Sequence, residues 1–362
     1  MASTNTPPQI LLTGATGYIG GTMLTQLLNS SSPVLKDATI SCLLRGQDRA
    51  ATLTAAYGSR VRPILYRDFD DIEATVAAAA QHDLVINTTI GFDAAPGTAL
   101  VRGLAQRKAA TGRDVWMIYT SGVSNLGDRP LSKGPENLEF DDAKDDVYGW
   151  EKAREASEGP YVQRTAELAV VDAGLALGVK TLVVTCPAVF GLGTGLFHRV
   201  SFQIPMMLRS ALATGRAIVV GDGSNVWDIV HVQDLAALYV IVARRILEDG
   251  GAGVPSGKKG IIFASNGRRS ALQTVQRTAD ACYAEGKLAA PKVEFLGLAE
   301  ATKALPLPAE WRDEHLVEMA FASNSRTVSS VARSLGWKPT RGDEAWEAGF
   351  RDDLKVILEK ST

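Results

Sequence analysis

The chain has 362 residues, 46% of them hydrophobic, and a formal net charge of −2 with acidic and basic residues interspersed. That suffices to bury one large core plus a smaller lobe; it excludes a disordered or fibrous chain and the basic field that a nucleic-acid or anionic-membrane surface needs. Cys42, Cys186 and Cys282 lie far apart and form no Cys-x-x-Cys pair, which argues against a zinc site and a disulfide framework.

In chain order, residues 1–8 read as a polar, Pro-rich disordered tail without the basic and apolar regions of a secretion signal. No run reaches the roughly 18 apolar residues of a membrane-spanning helix, so a cytoplasmic protein acting on small molecules is expected. Strand-length apolar runs then alternate with segments of helical period. The strands are Gln9–Leu12, Thr39–Leu44, Val61–Tyr66, Leu84–Asn87, Val115–Tyr119 and Thr181–Thr185; the helices include Gly20–Leu28, Ile72–Gln81, Thr98–Thr111 and Arg164–Leu177. This pattern predicts an α/β chain with a doubly wound parallel sheet. After Pro187 glycines punctuate shorter elements, followed by a helix over Val232–Leu247, an exposed loop at Gly250–Lys259 and a strand at Gly260–Asn266. The expected division is a sheet domain over 9–190, to which 228–265 return, and a smaller lobe from 191–227 and 266–362.

Directly after the first strand stands Gly14-Ala15-Thr16-Gly17-Tyr18-Ile19-Gly20, opening an amphipathic helix. The three glycines permit a tight turn, a close approach of backbone to a pyrophosphate and close packing of helix on strand, the signature of a Rossmann-type dinucleotide site. Free N–H groups and the positive helix end face the phosphates. The second strand ends in Arg45, where an acidic residue would hold the ribose hydroxyls of NAD; a planar cation instead suits the 2′-phosphate of NADP(H), and Arg49 adds a second one. Asp68, after the third strand, is placed to accept from the adenine amine or to cap a helix.

With these residues in view the chain resembles the extended short-chain dehydrogenase/reductase family, and most of all a fungal branch of epimerase/dehydratase-like chains. The likeness is carried by the glycine loop, by Tyr119-Thr120-Ser121, Cys186-Pro187-Ala188-Val189-Phe190-Gly191 and Val230-His231-Val232-Gln233-Asp234, and by the closing Ala332-Arg333-Ser334-Leu335-Gly336-Trp337-Lys338-Pro339. It implies further cofactor contacts at Thr88, Thr89 and Pro187. It also implies a hydride-transfer site in which Ser121 holds a substrate oxygen and a Tyr-x-x-x-Lys pair supplies the proton, the Lys charge lowering the Tyr pKa.

Two tyrosines compete for that role. Tyr161 has the expected distance to Pro187 but is followed by Thr165 where Lys belongs; Tyr148 and Lys152 form an intact pair at i, i+4, on a turn that Gly159-Pro160 separates from the next helix. Trp227 stands where nucleotide-sugar members carry an Arg for the substrate diphosphate. An indole cannot pair with a diphosphate; Trp227, Phe197 and Phe202, with Met206 and Met207, suit an apolar substrate or simply pack the lobe. His231 and His198 show no metal-ligand spacing, and His231 reads as structural. The expected activity is NADPH-dependent reduction of a carbonyl or imine in a moderately large apolar metabolite of secondary metabolism. An epimerase or dehydratase, or a non-catalytic NADP(H)-binding regulator, are the alternatives. The resemblance implies a homodimer, which helix faces alone do not establish.

Overall fold

The computed structural model describes residues 8–36, 38–89, 91–307, 309 and 312–359, so all of the expected tail except Pro8 lies outside it. Seven parallel strands form the main sheet in the order Ile261–Phe263, Lys180–Cys186, Trp116–Gly122, Leu84–Asn87, Ile10–Thr13, Ile40–Leu44 and Val61–Leu65. Ile10–Thr13, Ile40–Leu44 and Leu84–Asn87 are buried at every residue. That is why these segments read as unbroken apolar runs rather than as alternation: helices cover both faces of the sheet. The chain winds outward from Ile10–Thr13 through the second and third strands, then restarts on the other side at Leu84–Asn87. The strand order therefore reverses at Ile10–Thr13, and a crevice opens beyond the carboxyl ends of these strands.

The six expected strands and the later one at 260–266 are all in this sheet. The Gln47–Tyr57 helix was not anticipated, because its mean apolar content is low and only Ala50 and Leu53 are buried. Gly159, at φ +86°, ends the Val147–Glu158 helix before Val162–Leu177 begins. The expected break is there, but a helix of 12 residues precedes it rather than a turn.

Two details depart from the expected division. Val226–His231 pairs with Ala188–Phe190 and Arg268–Ser270 in a separate sheet, so of 228–265 it is the Val232–Asp249 helix and the Ile261–Phe263 strand that return to the main layers. Conversely, Ala332, Leu335 and Trp337 join the core of the main sheet, the indole N–H of Trp337 donating to the Asp234 carbonyl at 2.7 Å. The lobe has its own core, where Trp346 meets both Phe190 and Phe350 edge to face, with centroids 5.0 Å apart in each of the two contacts. Each such ring contributes about 1.5–3 kcal/mol by burial. Cys42 lies in the sheet core and Cys282 in the lobe core; burial pushes their thiols up to about 12 and about 11.

Candidate active site

At the reversal of strand order, Gly14 turns the chain at φ +78°. A Cβ there would meet the Thr88 hydroxyl at 2.6 Å, and one at Gly20 would meet the Gly14 carbonyl at 2.2 Å. Only glycine permits this approach of helix to strand. The Tyr18–Leu28 helix has no side-chain cap and no acid in its first turn, leaving its leading N–H groups for an anion. The cradle fits the pyrophosphate of a nicotinamide dinucleotide. Thr88 donates to the Thr13 carbonyl at 2.7 Å and Thr89 to Asn87 Oδ1 at 2.6 Å, so both hydroxyls brace the turn and the strand end.

The exposed guanidinium of Arg45 lies over the Phe69 ring, 4.8 Å from its centroid. Asp68 accepts from the Asp70 N–H at 3.1 Å and pairs with Arg67 at 3.4 Å, in a turn before the Ile72–Ala79 helix, whose N-cap position is held by Asp71 and not by Asp68.

From the glycine loop a cleft of about 470 Å³ runs between sheet and lobe. Tyr18, Ile19 and Pro187 form its inner end, and Gly122, Ser124, Tyr161 and Gln163 one wall. Phe92, Phe202, Trp227, Leu316 and Met319 make the rest largely apolar. Ser124 donates to Gln163 Oε1. Tyr161 stands at the start of the Val162–Leu177 helix; burial raises its phenol above the usual range, against the smaller opposing effects of a hydrogen bond with Ser124 and the charge of Arg164. Cys186 also borders the cleft, its thiol pushed up to about 12 by burial. Among the described residues no Lys or Arg lines this cleft.

The sequence-expected residues divide accordingly. Tyr18, Ile19, Pro187, Tyr161, Trp227 and Phe202 border the cleft. Ser121 does not: its hydroxyl accepts from Asn125 Nδ2 at 3.3 Å, and that amide also donates to Glu167 at 2.7 Å, in a buried polar network behind the cleft wall. Alternation along the strand sends the Ser121 side chain to the face opposite Gly122.

The structure does not bring Tyr148 and Lys152 to the cleft. Both are tied to Asp172, Tyr148 at 2.6 Å and Lys152 at 2.5 Å, and burial together with Asp172 pushes the Tyr148 phenol up to about 12. Thr165, at the expected Lys position, is exposed and donates to Glu155 instead. Phe197 packs against the sheet core, while Met206 and Met207 pack in the lobe core. His231 accepts from the Gln233 N–H and caps the Val232–Asp249 helix, the structural role expected of it. Ser124, Gln163 and Met319 were missed. Ser124 and Gln163 belong to no motif of the chain, and Met319 reaches the cleft only through the tertiary packing of its helix.

This architecture is the one the resemblance implied. Residues 135–252 match the model of the NAD dependent epimerase/dehydratase family. An oxidase, ucsJ, from an Acremonium species is 29% identical over 361 residues and covers 97% of each chain. A 3 beta-hydroxysteroid dehydrogenase/Delta 5→4-isomerase from Mycobacterium tuberculosis is 21% identical, covering 91% of this chain and 86% of the other. Among solved structures, the dTDP-glucose 4,6-dehydratase DesIV of Streptomyces venezuelae, with NAD and TYD bound, superposes with a TM-score of 0.63 at 16% identity over 97% of each chain. The chain therefore shares the fold of these dehydratases, and its residues 135–252 are similar to the NAD dependent epimerase/dehydratase family.

Proposed function

We propose that this protein is an NADPH-dependent reductase of a carbonyl or imine in an uncharged, largely apolar metabolite. The observation that carries the reading is the cleft, which joins the glycine loop directly, sets the Tyr161 phenol beside Ser124 and Gln163, is lined elsewhere mainly by apolar side chains with only neutral polar ones among them, and has no lining Lys or Arg among the described residues. A nucleotide sugar would leave its diphosphate unpaired there, at a desolvation cost that an apolar wall cannot offset. The relatives support an oxidoreductase of this kind, since one is named an oxidase and another a hydroxysteroid dehydrogenase, and a steroid has the size and polarity that this cleft suits.

The glycine loop would hold the pyrophosphate and Arg45 a 2′-phosphate, while the family's lysine position is taken by Thr165, which turns away to Glu155. NADPH, when bound, supplies the hydride. The chain's part is then to hold the substrate oxygen near Tyr161, whose protonated phenol donates as negative charge develops on that oxygen. Ser124 and Gln163 fix the geometry of this wall. The missing lysine favours one second reading, a protein that binds NADP(H) without turning it over.

The deciding experiment follows NADPH absorbance against a panel of steroidal and polycyclic ketones, beside calorimetry with UDP-glucose. Oxidation of NADPH with a ketone, and no binding of UDP-glucose tighter than about millimolar, is expected. Micromolar UDP-glucose binding returns the epimerase reading, and tight NADPH binding without any turnover favours the regulator.

A further inference from the structure

Ser121 faces away from the cleft, so the hold on a substrate oxygen that the resemblance gave it falls to another side chain. Gln163 stands two residues after Tyr161, in the first turn of the Val162–Leu177 helix, and borders the cleft. Its Oε1 accepts from Ser124, and the Tyr161 phenol makes a hydrogen bond with that same serine, so one hydroxyl links amide and phenol. The serine proton at Oε1 fixes which end of the amide is which. Nε2 is the other end, and among the described residues it donates to no acceptor.

The strand end leaves room for this amide. Gly122 closes the Trp116–Gly122 strand at φ −143° and ψ 147°, extended backbone that any residue adopts. A side chain is excluded there for a different reason: a Cβ would meet Gln163 Nε2 at 2.8 Å and Oε1 at 3.0 Å. A Cβ on Gly91 would lie 3.9 Å from the same nitrogen. The amide nitrogen thus sits between the carboxyl end of Trp116–Gly122 and the loop that follows Leu84–Asn87, neighbouring strands of the main sheet. Other hydroxyls of the cleft are committed elsewhere: Ser124 donates to Gln163 itself, and Tyr18 to the Gly191 carbonyl at 2.5 Å.

We propose that the Gln163 amide N–H is the donor that polarises the substrate carbonyl or imine, working beside Tyr161. The inference rests on the reductase reading of this cleft. As hydride adds to the carbonyl carbon, the π pair moves to oxygen, the Tyr161 O–H bond breaks and the new substrate O–H bond forms. The amide supplies a hydrogen bond and keeps both its hydrogens. A preorganised neutral donor stabilises the developing charge without bringing a buried cation into an apolar cleft.

The test uses the full chain with NADPH and estrone, a steroidal ketone with one carbonyl, or whichever ketone of the panel is reduced fastest. Gln163→Met should lower kcat about 10²-fold or more, with NADPH affinity by calorimetry unchanged within about twofold. Unchanged turnover overturns the assignment. NADPH affinity falling as far as kcat/KM would move the amide to the cofactor and overturn it too. The glycine gives a second arm. Gly122→Ala should displace the amide and lower kcat by a comparable factor, yet have no further effect in Gln163→Ala. In that background Gly122→Ser should return about tenfold of the lost rate, because its hydroxyl lies where the amide was. Losses that simply add, without rescue by serine, overturn the assignment. If the wild type reduces no ketone, infrared spectra separate the two claims. A carbonyl stretch of bound estrone that is lowered in the wild type and recovers in Gln163→Met leaves the amide as donor and sinks the reductase reading. A stretch that Gln163→Met does not move, or no estrone bound at all, overturns the amide's role.

Discussion

The Tyr148 hydroxyl donates to Asp172 at 2.6 Å, and Asp172 lies eleven residues beyond Tyr161 in the chain, on the same helix that Tyr161 opens. At 1.5 Å of rise per residue the two positions are about 16 Å apart. The helix runs back along the sheet from the carboxyl ends of the strands, so Tyr148 is moored toward the far end of the molecule from the glycine loop. Tyr148→Phe should then leave turnover and NADPH affinity essentially unchanged. Tyr161→Phe should lower kcat by about 10²–10⁴-fold, the usual contribution of a general acid. Measured side by side with one ketone, a large loss at Tyr148 would mean that the intact sequence motif acts after all.

Arg45 governs the choice of cofactor in the second experiment. Its guanidinium rests on Phe69 and is open to solvent, free to meet a 2′-phosphate. A charge-assisted hydrogen bond contributes about 1.5–3 kcal/mol, so Arg45→Asp should weaken NADPH by roughly ten- to a hundredfold and spare NADH. Calorimetric titration of both cofactors into both proteins checks this; equal affinities in the wild type would remove the NADP preference.

How much of this was legible beforehand depends on the range of the interaction. The parallel strands and the glycine loop announce themselves because apolar runs and a strand–turn–helix context are local. The break at Gly159-Pro160 did too. Tyr148 misled because Tyr-x-x-x-Lys is a short pattern, and its ordinary fate, an ion-paired helix face, is decided by Asp172, twenty residues past Lys152. Ser121 misled by strand parity, since the residue after it, not Ser121 itself, fronts the cleft. Met319 gave no signal at all: it reaches the cleft through a helix whose position follows from the packing of the lobe. Trp337 returns to the sheet core by long-range packing, and its indole N–H donates to a backbone carbonyl more than a hundred residues earlier, contacts that no periodicity encodes.

A third expectation concerns stability. Asp353 is fully buried on the Asp343–Glu359 helix, with one carboxyl oxygen unpartnered, and burial raises its pKa from 3.8 to about 7. A carboxyl with a folded pKa above its unfolded value binds its proton more tightly when folded. Its stabilising share is thus fully present below the unfolded value and is lost as pH rises through the folded one. Between pH 5 and pH 8 this amounts to about 2–3 kcal/mol, at 1.36 kcal/mol per unit. Asp353→Asn cannot ionise, so its urea midpoint should fall less than that of the wild type over this interval. Parallel curves for the two proteins would show that Asp353 is not the titrating group.

The cysteines have a consequence for how the molecule can be watched. Thiolate is the form that alkylating reagents attack, and burial keeps Cys42, in the sheet core, and Cys282, in the lobe core, protonated. Each thiol is consequently silent until its own core opens, which gives the native chain two built-in clocks, one per core. Equal labelling rates at the two sites would mark the cores as one cooperative unit, and unequal rates would reveal the lobe opening over its cleft while the sheet stays closed.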